Sequence, residues 1–319
     1  MSDVKAIEEL GNKYKELRAE IAKIIVGQDD TVDQVLYAIL AGGHALLIGV
    51  PGLAKTLLVH TIAEAIGLDF KRIQFTPDLL PSDLIGSKIY DVSKKDFSIK
   101  KWPIFSNIIL ADEINRAPSK VQSALLEAMA EKQVTIWDKT FALESPFMVL
   151  ATQNPLEQSG TFQLPEAQLD RFLLKTLVQY PSKEEEKEIL KQFTQEINII
   201  IEKIIDADKI LEIQKEIENI TVSESIYDYV TDIVAMSRSQ EFIEKDLILW
   251  ASPRAAIAFI KTAKTLAFIE WRDFVLPEDI KTMAFPILRH RLILSYEAIA
   301  DGKTTDQIIS NILDLVTIK

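Results

Sequence analysis

The chain has 319 residues, 48% of them hydrophobic, no cysteine, and a formal net charge of −12 at pH 7. That length accommodates two domains with ample core, the lack of cysteine excludes disulfides and thiol catalysis, and the acidic balance argues against a dominant nucleic-acid surface, which lysine and arginine would have to build. No apolar run reaches the roughly eighteen residues of a membrane helix, and Met1-Ser-Asp-Val-Lys-Ala-Ile-Glu-Glu-Leu lacks the cationic-then-apolar order of a signal peptide, so a cytoplasmic location with access to ATP is expected.

Short apolar runs alternate with helical patterns as far as about residue 180. Strands are expected at 45–48, 72–75, 108–111, 148–152 and 173–177, separated by helices such as 56–66 and 120–131. Repeated strand-helix units of this kind imply a mostly parallel sheet covered on both faces. The first strand runs into Gly49-Val50-Pro51-Gly52-Leu53-Ala54-Lys55-Thr56-Leu57, which is nearly a phosphate-binding loop. In such a loop backbone N–H groups and a helix N-terminus surround the phosphates, a lysine reaches the outer ones, and a Ser/Thr hydroxyl ligates Mg²⁺. Gly49, Gly52, Lys55 and Thr56 fit that pattern, and Ala54 stands where it has glycine. Alanine suits the position if its dihedrals are right-handed helical, because a positive φ would cost about 1–2 kcal/mol.

Further along, Lys88 to Lys100 alternates weakly around Asp91 to Asp96 and reads as a hairpin inserted into the second helix region. The apolar run from Asn107 ends in Asp112-Glu113, which places two carboxylates at the C-terminal edge of a buried strand, where open α/β sheets bind ligands. There Asp112 would hold Mg²⁺ through water and Glu113 would orient and deprotonate an attacking water; the same residues also describe a strand followed by an acidic loop. A second hairpin is expected over 133–143. The next strand, beginning at Phe147, ends at Asn154-Pro155 and sets an amide at the same edge, although asparagine before proline is also an ordinary turn former.

After Tyr180-Pro181-Ser182 the strand patterns disappear. Ser182 followed by Lys183-Glu-Glu-Glu-Lys is a helix-start signal, and helical periodicity marks 183–197, 207–217, 223–238, 253–270 and 304–317. Trp250, Trp271 and Phe274 are expected to pack these helices together. His44, His60 and His290 lack metal-ligand spacing.

Eight segments in order carry a family resemblance: Ile25-Val26-Gly27-Gln28, Gly49 to Thr56, Gln74 to Asp83, Ala111 to Ala117, Gln122 to Met129, Ala151 to Pro155, Leu164 to Phe172 and Ser252 to Ala255. Over residues 25 to about 255 the chain resembles the MoxR-type AAA+ ATPases, which commonly carry alanine before the loop lysine. Trp102 departs from the family, where glycine is usual. The resemblance implies a P-loop NTPase core over 1–181, a parallel sheet between helices with two inserted hairpins, followed by an all-helical lid over 182–319, with ATP and Mg²⁺ as cofactors. Val26, Gly27 and Gln28 would line the adenine side, the stretch Gly49 to Leu57 would cradle the phosphates, Thr56 and Asp112 would take the metal, and Glu113 and Asn154 would handle water. Arg171 corresponds to the arginine finger that reaches a neighbouring subunit's site, and Arg254 to the sensor-two arginine that touches nucleotide and couples its state to lid orientation. Read locally, Arg171 is also a helix-surface arginine paired with Asp170 or Glu166, and Arg254 a first-turn residue behind Ser252-Pro253.

The implied activity is ATP hydrolysis by a ring of six subunits that remodels or helps mature partner complexes, metal-cofactor insertion included. Its implied partners are a client protein and a protein bearing a von Willebrand factor A domain. Two other readings stay open. One is a nucleic-acid motor contacting its track through Lys88, Lys94, Lys95, Lys100 and Lys101, which Asp91 and Asp96 dilute. The other is a nucleotide-sensing scaffold with little turnover, against which Glu113, Asn154 and Arg171 count.

Overall fold

The computed structural model describes residues 4–91, 96–155, 160–194, 199–239, 242 and 245–318. Helices α1 (Val4–Ala22) and α2 (Asp29–Leu40) precede β1 (Ala45–Ile48), α3 (Lys55–Ile66), β2 (Phe70–Gln74) and the short α4 (Pro81–Ile85). The antiparallel hairpin β3 (Gly86–Asp91) and β4 (Asp96–Lys101) follows, then β5 (Ile108–Asp112) and α5 (Ser119–Glu131). A second hairpin, β6 (Gln133–Ile136) and β7 (Lys139–Ala142), leads to β8 (Met148–Gln153), α6 (Glu166–Leu169) and β9 (Leu174–Leu177). The remainder is mainly helical: α7 (Lys183–Thr194), α8 (Ala207–Glu218), α9 (Glu224–Met236), α10 (Pro253–Ile269), α11 (Pro277–Leu288), α12 (Tyr296–Ala300) and α13 (Thr305–Leu315). One small antiparallel pair, β10 (Leu247–Leu249) with β11 (Ile293–Leu294), interrupts it. Residues 92–95 of the first expected hairpin and 195–197 of the first expected lid helix lie outside the described residues.

The central sheet is parallel with strand order β2-β5-β8-β1-β9. Strand side chains alternate between faces, and in the inner strands β5, β8 and β1 both faces are buried, as in parallel sheets generally. Ile108, Leu110, Leu150 and Leu47 join one apolar cluster with α1 to α3, while Ile109, Ala111, Val149, Ala151 and Leu46 join a second with α5 and Phe172. The first cluster continues into α8 to α11 and α13, so core and lid share one buried interior. Register aligns the strand ends: Gln74 lies opposite Asp112, and Ile48 opposite Gln153. The polar residues that close each apolar run therefore meet at one edge. No helix among the described residues is long and apolar enough to cross a membrane.

Two expectations change. Trp271 ties the lid to α1: a Cβ on Gly11 would lie 2.3 Å from its ring, and Lys15 sits 3.8 Å above it. Trp250 and Phe274 stay 39% and 48% exposed, so these three aromatics do not form a common lid core. Trp102 has φ −116° and ψ −177°, ordinary extended backbone just before a 3-10 turn at Pro103–Phe105, and the position makes no demand for glycine.

Two histidines are buried at structural joints. His44 Nδ1 accepts from the Val149 N–H at 2.9 Å, which puts its proton on Nε2 facing the Met129 carbonyl at 3.2 Å. His290 Nε2 donates to the Phe172 carbonyl at 2.9 Å. Burial lowers His44 from 6.5 to about 4, and burial followed by the Arg291 charge holds His290 well below 6.5. Both stay neutral when folded and take up protons on unfolding as the pH falls, so the stabilisation from His44 is complete above 6.5 and is lost as pH falls toward about 4, and that from His290 is lost in the same direction. The melting temperature should drop across that window, and His44→Gln should flatten part of the slope in calorimetry at stepped pH.

Candidate active site

The loop after β1 carries its strain where it turns into α3. Gly52 has φ +90°, and Ala54, the residue before the helix, has φ +51° and ψ +25°. The condition under which alanine suits this position is therefore not met: the residue is left-handed, at a cost of about 1–2 kcal/mol in an alanine. Burial of Leu58, Val59 and Ile62 on α3 holds the helix against the core and supports that strain. Gly49 has a different requirement, since a Cβ there would lie 2.9 Å from Val178 Cβ and 3.1 Å from its carbonyl.

Lys55 Nζ bridges the loop, donating to the Gly49 carbonyl at 2.7 Å and the Val50 carbonyl at 2.8 Å. Burial pulls its pKa below the ordinary lysine value, opposed by the charges of Asp112 and Glu113. Phosphate oxygens are stronger acceptors for an ammonium than backbone carbonyls. Pro51, Gly52, Leu53, Ala54, Lys55 and Thr56 all line a cavity of about 400 Å³ at the sheet edge. Val50 and Leu57 pack partly buried side chains against the apolar cluster and are not among the residues lining that cavity.

The other wall of that cavity is acidic. Asp112 Oδ1 accepts from the Thr152 hydroxyl at 2.6 Å, and Thr152 Oγ1 in turn accepts from the Glu113 N–H at 2.8 Å. Glu113 has φ +56° and ψ +51°, a left-handed conformation that turns its carboxylate out of the strand direction. Its Oε2 accepts from Gln74 Nε2 at 2.8 Å and pairs with Arg116 Nε at 3.0 Å. Asn154, 7% exposed, completes the lining. Magnesium is held by one or two protein oxygens together with waters and substrate phosphates. The Thr56 hydroxyl and the Asp112 carboxylate, in one cavity beside Lys55, fit that demand, and the ion when bound neutralises charge on phosphate oxygens. Among the described residues no group of three His, Cys, Asp or Glu stands ready to cage a metal by itself.

Beside the loop, Gly27 and Gln28 line a polar cavity of about 490 Å³ with Gln34, Tyr180, Glu185 and Arg289. Gln28 Nε2 donates to the Leu53 carbonyl at 3.0 Å, joining this segment to the phosphate loop, and half-buried Val26 precedes it.

Arg171 and Arg254 line neither cavity. They share a third, of about 300 Å³, with Lys132 and Lys261. Arg171 Nη1 donates to the Leu126 carbonyl at 2.5 Å rather than pairing with Asp170 or Glu166. Asp170 is taken by the lid: it accepts from Ser252 Oγ at 2.8 Å and buried Arg291 Nε at 2.7 Å, and lies 3.5 Å from Arg254 Nη1. That latch fixes the start of α10 beside Arg171, so Arg254 is not brought to the phosphate loop of its own chain.

Residues 44–174 match the model of the ATPase family associated with various cellular activities (AAA), and residues 240–312 match the AAA lid domain. Over 307 residues the chain is 45% identical to chaperone MoxR1 of Mycobacterium tuberculosis, covering 94% of this chain and 80% of that protein. The chain belongs to the MoxR family of AAA+ ATPases. It is also 44% identical over 299 residues to the YeaC protein of Bacillus subtilis, covering 93% and 92% of the two chains. The crystal structure of a Cytophaga hutchinsonii protein assigned as an ATPase matches it with a TM-score of 0.92 at 51% identity over the full length of both. Sequence reasoning gave no role in this MoxR-family site to Arg72, Gln74, Arg116 or Thr152. Gln74 does head one of the family segments, but only strand pairing brings it and Arg72 to the carboxylates.

Proposed function

We propose that the chain hydrolyses ATP with Mg²⁺ and uses the cycle to remodel partner proteins, working as a ring of six subunits in the cytoplasm with a von Willebrand factor A partner. One observation carries this reading: Lys55, Thr56, Asp112, Glu113 and Asn154 converge on one cavity, while Arg171 and Arg254 line a separate one. In it Lys55 holds the outer phosphates, Thr56 and Asp112 take the metal, Glu113 accepts the proton of the attacking water, and Asn154 positions that water. Val26, Gly27 and Gln28 line the base. Arg171 and Arg254, away from their own loop, serve a neighbouring subunit's nucleotide. Residues 1–181 act as the nucleotide core and 182–319 as the lid. The chaperone name of the mycobacterial relative supports protein remodelling over a nucleic-acid motor, and so does the net charge of −12. Lys94 and Lys95, the centre of the alternative basic patch, lie outside the described residues.

Single- or double-stranded DNA should bind weakly and leave ATPase turnover within about twofold of its basal rate. Tight binding at physiological salt, with a steep salt dependence lost in a Lys94→Ala/Lys95→Ala double variant, would reverse the ranking.

A further inference from the structure

Arg72 is a cation inside the cavity that the reaction sketched above does not use. It stands on β2, the edge strand of the sheet, two residues from Gln74 and so on the same face. Two of its N–H groups reach Asp112 Oδ2, Nε at 3.0 Å and Nη2 at 2.6 Å. Nη2 also donates to Gln74 Oε1 at 2.5 Å. That contact sets the amide's orientation, because an oxygen must face the guanidinium, and the amide nitrogen is then left to face Glu113 Oε2 at 2.8 Å. With Thr152 on Oδ1, both oxygens of Asp112 have protein donors.

We propose that Arg72 is a positioning residue that sets the magnesium requirement of the site, holding Asp112 until a divalent cation displaces it. This rests on reading the cavity as the nucleotide site. A magnesium ion, or a water it polarises, needs a lone pair of Asp112, and the two Arg72 N–H groups converge on one of the two oxygens that carry them. Metal entry and the Arg72–Asp112 contact compete for the same carboxylate and so oppose each other by linkage. Arg72 is 46% exposed and Asp112 14%, so the guanidinium has solvent to swing into when displaced. Gln74 Oε1 is its second anchor and keeps it over the carboxylate.

The test is binding of a fluorescent ATP analogue, mant-ATP, titrated with MgCl₂. Arg72→Ala and Arg72→Gln should lower the magnesium midpoint by about three- to tenfold, the span expected for losing a partly exposed charge-assisted contact. Arg72→Lys keeps the charge without the fork and should shift it less. Gln74→Ala, which removes the second anchor, should shift it in the same direction by a smaller factor. In an Asp112→Asn background Arg72→Ala should have no further effect. An unchanged or raised midpoint in both Arg72→Ala and Arg72→Gln, with the melting temperature of the parent protein, overturns the inference and leaves the nucleotide reading standing. The same downward shift in the Asp112→Asn background also overturns it, since the effect would then be long-range charge. Absence of mant-ATP binding by the parent protein at any magnesium level would bring down the nucleotide reading and this inference with it.

Discussion

Glu113→Gln should bind ATP as the parent protein does yet turn it over about 10²- to 10⁴-fold more slowly, the usual contribution of a positioned general base, whereas Lys55→Ala should bind no ATP. The two outcomes differ because the groups act at different stages. Lys55 Nζ already spans the Gly49 and Val50 carbonyls at 2.7 and 2.8 Å, so in the proposed site it is the cation that the loop would present to the outer phosphates. Without it the strained loop still forms, but the charge is gone from a cavity whose far wall holds two carboxylates. Glutamine at 113 keeps the shape and can still meet Arg116 or Gln74, but it cannot take a proton. Equilibrium binding of mant-ATP and phosphate release measured on both proteins separate these effects. Turnover within a few-fold of the parent in either variant removes that residue from its role. The Glu113→Gln protein, held with ATP, is also the form in which to capture clients for identification by mass spectrometry.

Mixed rings should regain activity that neither parent variant has. Arg171 lines a cavity with Arg254, apart from the one with Lys55 and Glu113, and under the proposed function its charge would serve a neighbour rather than its own loop. Arg171→Ala should bind ATP almost normally and lose at least about a hundredfold in turnover, a conservative figure beside the ~10³–10⁵ of arginine fingers. Mixing Arg171→Ala with Lys55→Ala subunits then recreates some interfaces where an intact pocket faces an intact Arg171. Those interfaces should restore part of the ATPase rate, in proportion to their statistical frequency as the mixing ratio is varied. No recovery in rings shown to be mixed, or full activity of Arg171→Ala alone, would leave Arg171 as an arginine that only caps the Leu126 carbonyl. Arg254→Ala run in the same assay reports whether the lid arginine acts in the same direction.

Much of this site is local and so was readable in the chain itself. The runs 45–48, 108–111 and 148–151 are apolar without a break, because strands covered on both faces have no solvent side to mark with polar residues. Polar or turn residues follow each run directly, Gly49, Asp112 and Thr152 to Asn154, and parallel pairing brings ends of the same polarity together. That is why the phosphate loop, both carboxylates and the asparagine could be assigned to one edge without coordinates. Tertiary structure alone decided the rest. Ala54 is left-handed because the path from β1 into a helix buried through Leu58, Val59 and Ile62 demands it, a constraint no residue at 54 announces. Arg72 and Gln74 meet Asp112 and Glu113 across about forty residues of sequence through the β2–β5 register, which periodicity does not encode. Arg254 lies by Arg171 because Ser252 and Arg291, themselves 82 and 121 residues from Asp170, both close on that carboxylate. Local patterning reveals which face of an element is buried; which element it is buried against depends on contacts between distant residues, and in this protein those contacts place Lys55, Asp112 and Glu113 in one cavity and Arg171 and Arg254 in another.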